Sequence, residues 1–278
     1  MNIGIVGLGL IGGSLAYDFR ALGYKVLGVS RQPQTCEDAV KLGAVDAASS
    51  DLASLAPADV VFICTPVSVI DVIATRLIPH LAPEAILTDV GSVKGSVVNR
   101  LTPLWPRFIG GHPMAGSEET GIHAAQSRLF AGNPYILTPM AETPANVIET
   151  MKDLIGQLDC NLYECSPKVH DRAVAWISHL PKMTSAALIS ACLGEADPEI
   201  LKLAQSFASS GFRDTSRVGG GNPELGCMMA QYNREELLRS LHQYRQSLDQ
   251  LTEVIERSDW LALERLLSQT QTERPKFL

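Results

Sequence analysis

Five short stretches hold the residue types best suited to chemistry. Gly110-Gly111-His112-Pro113-Met114-Ala115-Gly116-Ser117-Glu118 presents an imidazole flanked by glycines and a proline. Histidine titrates near working pH, so a neutral His112 could take the proton from an alcohol while the carbon bearing that alcohol gives up a hydride; the alternative is a structural histidine. Asp89-Val90-Gly91-Ser92-Val93-Lys94 offers Ser92, which could hydrogen-bond a substrate or His112 and also cap the helix that follows. Lys94 reads as an exposed helix lysine or as an ion pair with Asp89.

Further along, His170-Asp171-Arg172 precedes Ser178-His179-Leu180-Pro181. Pro181 cannot donate to the carbonyl of Ile177, so a helix here should kink beside Ser178 and His179. His179 at that bend could face a cleft and touch substrate, or be a core histidine satisfied by a backbone carbonyl. His170 and Asp171, as sequence neighbours, are expected on different helix faces, with one of them capping or pairing locally. Gly211-Phe212-Arg213-Asp214-Thr215-Ser216-Arg217 supplies two arginines, and a guanidinium fork is the natural partner of a carboxylate. Arg217 is the expected substrate anchor. Arg213 is a second candidate contact, with pairing to Asp214 or solvent as its alternative.

A hydride needs an acceptor, and the start of the chain supplies a place for one. Gly7-Leu8-Gly9-Leu10-Ile11-Gly12-Gly13-Ser14 directly follows the apolar run Ile3-Gly4-Ile5-Val6, a glycine-rich passage from strand to helix. Gly7 allows the tight turn, Gly9 lets the main chain approach a pyrophosphate, and Gly12 lets helix and strand pack closely. The free N–H groups of the helix start, around Leu10 and Ile11, favour the phosphates. The second strand ends in Ser30-Arg31 where NAD sites usually carry an acid, and an arginine accommodates a 2′-phosphate. Ser30, Arg31 and Thr35 therefore point to NADP, with Arg31 as an ordinary surface arginine the alternative. Thr65 and Pro66, at the end of a later strand, complete the expected cofactor contacts. No metal site is expected.

The elements that must position these groups follow from hydrophobic periodicity. Strands are expected over 2–6, 25–29, 59–64, 85–89, 107–110, 134–138 and 160–164, and helices over 11–22, 34–42, 67–80 and 144–158. That alternation predicts an α/β fold: a Rossmann-like, mostly parallel sheet with helices on both faces. Its ligands should collect at the carboxyl ends of the strands, with His112 in the turn after the strand at 107–110. Beyond Ser166-Pro167 strand signals almost vanish, which predicts a nucleotide-binding domain over 1–165 and an all-helical substrate and dimerisation domain over 166–278. Its first helix should run from about 167 to 193. Leu237, Leu241, Tyr244, Leu248, Leu251 and Ile255 alternate four- and three-residue steps, a helix-packing seam that buries against a second subunit or within the domain.

With 278 residues and a net charge of −7, the chain suggests two domains and no extended nucleic-acid surface. No apolar run is long enough to cross a bilayer, and the N-terminus lacks the basic start of a secretory signal, so a cytoplasmic protein is expected. The six cysteines show no C-x-x-C spacing and predict neither a disulfide framework nor structural zinc.

Taken together, G-L-G-L-I-G-G-S (7–14), D-V-G-S-V-K (89–94), G-G-H-P-M-A-G-S-E (110–118), H-D-R-A-V-A-W-I-S-H-L-P (170–181) and G-F-R-D-T-S-R (211–217) closely resemble the prephenate/arogenate dehydrogenase family of tyrosine biosynthesis. The match spans residues 1 to about 235, and its H-P-M-A-G-S-E and S-H-L-P blocks are the specific ones. The resemblance implies oxidation of a cyclohexadienol that carries a ring carboxylate, with loss of carbon dioxide and aromatisation. It further implies that His112 accepts the hydroxyl proton with Ser92 orienting it, that His179 and Arg217 hold the substrate, and that the helical domain forms a homodimer. Many relatives carry a tryptophan near the position of Gly226, so the far end of the pocket should differ here. The NADP signature and short length resemble the arogenate-preferring members, with prephenate as the alternative substrate. Two other classes stay open: a β-hydroxyacid dehydrogenase or imine reductase relying on Lys94, and a non-enzymatic NADP sensor.

Overall fold

The computed structural model describes residues 1–117 and 119–277. Eight strands are formed: β1 (Asn2–Val6), β2 (Lys25–Val29), β3 (Ala47–Ser49), β4 (Val60–Ile63), β5 (Ile86–Asp89), β6 (Phe108–Pro113), β7 (Pro134–Thr138) and β8 (Asn161–Glu164). They build one sheet in the order β3-β2-β1-β4-β5-β6-β7-β8. Every neighbouring pair is parallel except β6 with β7. The winding direction reverses between β1 and β4, which is where such a sheet opens a ligand crevice.

Helices α1 (Leu10–Ala21), α2 (Pro33–Lys41), α3 (Ile70–Leu77), α4 (Gly95–Leu101) and α5 (Ala145–Gly156) cover the sheet. Strand side chains alternate between two cores. Ile3, Ile5, Phe62 and Ile86 pack with Leu15 and Phe19 of α1 and Met151 and Leu154 of α5. Val6, Val61, Ile63 and Leu87 pack on the opposite face with Ala74 of α3 and Val98 and Leu101 of α4. Strands apolar on both faces are what a helix-covered parallel sheet demands.

The expected strands form where their apolar runs lie, and β3 is an addition of three residues at the sheet edge. The end of β6 departs from expectation. Instead of turning after Gly110, the chain stays extended through Pro113 because β7 reverses direction and pairs with it, Gly110 with Thr138 and His112 with Ile136. His112 is therefore a strand residue, not part of a turn. The glycines before it serve packing: a Cβ on Gly110 would lie 2.4 Å from Thr138 Oγ1 and 2.7 Å from Val98 Cγ2, and one on Gly111 2.8 Å from the Asp89 carbonyl oxygen.

The remainder of the chain is helical. Helix α6 (Pro167–Val174) continues through a π turn at Ala175–His179 into α7 (Leu180–Leu193). The expected kink takes the form of this widened turn, the local answer to the donor that Pro181 lacks. Then come α8 (Pro198–Phe207), α9 (Ser210–Ser216), α10 (Pro223–Tyr232), α11 (Arg234–Glu256) and α12 (Trp260–Glu273). Helices α8, α9 and α12 bury none of their residues. Along the α11 seam Leu237 is buried, whereas Leu248 and Ile255 are each 50% exposed. Among the described residues no helix is long and apolar enough to cross a membrane.

Candidate active site

His112 sits where the sheet meets α6. Its Nδ1 lies 2.7 Å from Nε2 of His170, and Nδ1 of His170 lies 2.8 Å from Oδ1 of Asp171. All three side chains are buried. The sequence placed His170 and Asp171 on different helix faces; the fold instead joins their side chains and reaches back 58 positions to His112. Asp171 also accepts the backbone N–H groups of Lys94 (2.7 Å) and Gly95 (2.8 Å), and so caps α4. Ser92 does not cap that helix; it is half-buried, and α4 begins three residues later at Gly95. The missing signal was the N-cap position itself: Lys94 has no side-chain acceptor, so the bare N–H groups at the start of α4 must find one elsewhere.

Lys94 is fully buried, not an exposed helix residue. Its ammonium pairs with Asp89 and donates to the Gly111 carbonyl at 2.7 Å, tying the ends of β5 and β6 together beside His112. Burial holds the His112 imidazole well below its ordinary titration range, and the neighbouring His170, Lys94 and His179 add to that effect. A neutral ring is what a proton acceptor requires.

His179 is completely buried in the π turn, with Nδ1 3.1 Å from Nδ2 of Asn233. The same Asn233 nitrogen donates to the Asp171 carbonyl at 2.8 Å. The one Asn233 amide nitrogen donates to both, so Nδ1 of neutral His179 accepts and its proton sits on Nε2, which has no partner among the described residues. Asn233, between α10 and α11, is a further residue the sequence did not suggest. Arg213 pairs with Asp214 at 3.3 Å, both strongly exposed, which matches the alternative raised for it. Arg217 opens a 3-10 turn (Arg217–Gly220) seated on α7 through Ser185, whose Oγ accepts from the Gly219 N–H at 2.8 Å and donates to the Thr215 carbonyl at 2.9 Å. Glu118 of the H-P-M-A-G-S-E block lies outside the described residues.

At the sheet's crevice the residues fit a dinucleotide. Gly7 has φ +97°, and a Cβ there would sit 2.6 Å from the Cys64 carbonyl oxygen; one on Gly12 would sit 2.0 Å from the Gly7 carbonyl oxygen. Both glycines are demanded by the fold. Gly9 differs, because a Cβ there would meet nothing within 4 Å. Open space over an N-cap glycine, ahead of Leu10 and Ile11 in the first turn of α1, is the cradle a pyrophosphate would fill. Just past the end of β4, Thr65 adds a buried hydroxyl without a partner among the described residues, followed by exposed Pro66. Beyond β2, Ser30 Oγ accepts from the Gln32 N–H at 3.3 Å and Thr35 donates to the Gln32 side chain at 3.3 Å, while Arg31 is exposed next to both.

Comparison with known proteins agrees with this geometry. Two family profiles match: prephenate dehydrogenase, nucleotide-binding domain, over residues 15–164, and prephenate dehydrogenase, dimerization domain, over 166–269. The chain is 32% identical to the prephenate dehydrogenase of Bacillus subtilis, the match covering 92% of this chain and 70% of that protein. It is also 32% identical to the cyclohexadienyl dehydrogenase of Zymomonas mobilis, covering 93% and 89%. Among solved structures, Synechocystis arogenate dehydrogenase superposes with a TM-score of 0.91 at 54% identity over the whole of both chains. The A. aeolicus prephenate dehydrogenase bound to hydroxyphenyl propionate and NAD+ superposes with a TM-score of 0.94 at 30% identity, covering 100% of this chain and 98% of that one. The nucleotide-binding half and the helical half thus match, together and in order, one group of oxidoreductases of aromatic amino acid biosynthesis, and the chain belongs to the prephenate dehydrogenase family.

Proposed function

We propose that the protein is an NADP-dependent arogenate dehydrogenase that converts arogenate to tyrosine and carbon dioxide. The observation that carries the choice of substrate is the 54% identity, over full length, to an arogenate dehydrogenase. Ser30, Arg31 and Thr35 support the choice of cofactor, since they cluster at the end of β2 where a ribose 2′-substituent lies and offer hydroxyls and a guanidinium in place of an acid. Gly7, Gly9, Leu10, Ile11, Gly12, Thr65 and Pro66 would hold the rest of the dinucleotide. When bound, the cofactor accepts the hydride.

The chain's own residues do the remainder. His112 takes the hydroxyl proton at Nε2, and Ser92, three positions beyond the end of β5, orients the hydroxyl. The Nε2–H of His179 is a buried donor with no acceptor among the described residues, which suits an oxygen of the substrate. Arg217 holds a carboxylate, with Arg213 as a second, more exposed guanidinium. The uncovered faces of α8, α11 and α12 support a homodimer formed through the helical half.

Turnover of arogenate and prephenate, each with NADP+ and NAD+, tests the reading. Arogenate with NADP+ should have the highest kcat/KM, and equal or better turnover of prephenate with NAD+ would overturn it. Arg31→Ala should weaken NADPH binding far more than NADH binding; equal weakening would remove the 2′-phosphate assignment.

A further inference from the structure

We propose that His170 and Asp171 form a proton store behind His112, which holds the substrate's hydroxyl proton during oxidation and hands it back to the product. The inference rests on His112 being the proton acceptor and extends that reading to two residues in the other half of the molecule.

The balance of the reaction sets the requirement. A hydride leaves the ring carbon and a proton leaves its hydroxyl, giving a dienone. The bond from the opposite ring carbon to the carboxylate then breaks, carbon dioxide departs, and the electron pair completes the aromatic ring and places a negative charge on the oxygen. That oxygen recovers a proton and becomes a phenol. One proton leaves and one returns, so a site that keeps the proton between the two steps needs nothing from solvent.

The chain of buried groups has that form. Asp171 accepts from His170 Nδ1 (2.8 Å) and the Lys94 N–H (2.7 Å) on one oxygen and from the Gly95 N–H (2.8 Å) on the other. A carboxylate is an acceptor only, so the His170 proton sits on Nδ1 and Nε2 is left as an acceptor. His112 must then donate from Nδ1 across the 2.7 Å contact, which leaves its Nε2 as the lone pair that takes the hydroxyl proton. When Nε2 gains the hydroxyl proton, the Nδ1 proton passes to His170 Nε2, and the positive charge comes to rest beside Asp171. Three N–H donors already occupy Asp171, so the proton stays on His170. After carbon dioxide leaves, the same two shifts reverse, and neither ring has to turn over.

The surrounding charges favour this direction. Around His112 stand Lys94, already paired with Asp89, and neutral His179; around His170 stand Asp171 and the same His179. A buried ammonium close to His112 opposes charge on that ring and moves it toward the carboxylate.

The decisive variant is His170→Gln. Its side-chain carbonyl can still accept from His112 Nδ1 and fix that ring, yet it cannot hold a proton. Storage predicts that kcat falls about 10²-fold or more, with KM for substrate within about 3-fold of wild type. A kcat within about 3-fold of wild type overturns storage and leaves His170 a positioning residue. Two measurements on the wild-type protein keep the test independent of how the variant folds. Nitrogen-15 spectra of the ligand-free protein should show the proton on Nδ1 of both His112 and His170; Nε2–H on either ring overturns the proposal. Stopped-flow mixing with a pH indicator should show no proton entering solution before product forms, and a transient release of one proton per site would sink it. If His112→Asn is inactive while His170→Gln is active, only the store falls. If His112→Asn also retains turnover, the role of His112 falls with it.

Discussion

His179 shows how far a single buried side chain can be pushed from its ordinary chemistry. Its titration is lowered to about 4, chiefly by burial, with His170 adding to the effect and Asp171 opposing it. An unfolded chain binds a proton at this residue below about pH 6.5, while the folded chain resists it until about pH 4. Stability from this group is thus present above pH 6.5 and is lost as pH falls toward 4, by about 3 kcal/mol in all. Buried His112 is shifted in the same direction and adds to the loss. Urea unfolding of the ligand-free protein at pH 7 and pH 4.5 should show the drop, and His179→Gln should flatten it; an unchanged slope would contradict the burial argument. At this scale the sequence was partly legible. Types and neighbours singled out His112 and His179, because glycine and proline mark unusual backbone locally. Their partners were hidden, since His170 and Asn233 lie 58 and 54 positions away from them and only the tertiary fold brings them into contact.

Glycine roles separate once the elements are assembled. Gly110→Ala would press a methyl group against Thr138 Oγ1 and Val98 between β6, β7 and α4, and should cost about 1–3 kcal/mol in denaturant unfolding. Gly9→Ala meets only open space, so stability should change by less than about 0.5 kcal/mol. NADP+ binding measured by calorimetry should fall in Gly9→Ala, and a variant that binds normally would remove the pyrophosphate from that cradle. The long apolar runs made β1, β2, β4 and β5 readable, because a sheet covered on both faces leaves no polar alternation to confuse them. β3 was not readable. Ala47-Ala48-Ser49 has neither length nor branched side chains, and it is a strand because the edge of β2 offers it partners. The continuation of β6 to Pro113 was missed for a related reason: it depends on the antiparallel return of β7, a pairing between segments rather than a property of either.

The molecule as a whole is unevenly filled. The sheet half buries two dense cores, whereas α8 and α12 leave Leu203, Phe207, Leu261 and Leu267 between 46% and 74% exposed. Apolar surface on this scale is costly in water, and a second copy of the chain would cover it. Light scattering should give twice the 30.0 kDa chain mass. Leu248→Glu with Ile255→Glu, on the open part of the α11 seam, should shift the protein toward monomer, and an unshifted mass would place the interface elsewhere. Regular spacing made that seam legible in the sequence, but whether it faced inward or outward depended on how the helices stack.

Asp171 has one last consequence. It grows from α6 yet supplies the start of α4 with its missing acceptor, so it works as a latch across the molecule. A fragment ending before Pro167 would keep the glycine cradle but carry two stranded amides at α4 and a His112 ring free to choose either tautomer. On the proposed role of His112, competence for chemistry would arrive in the same event as the docking of the two halves, and a partly assembled chain would stay silent even with its cofactor in place.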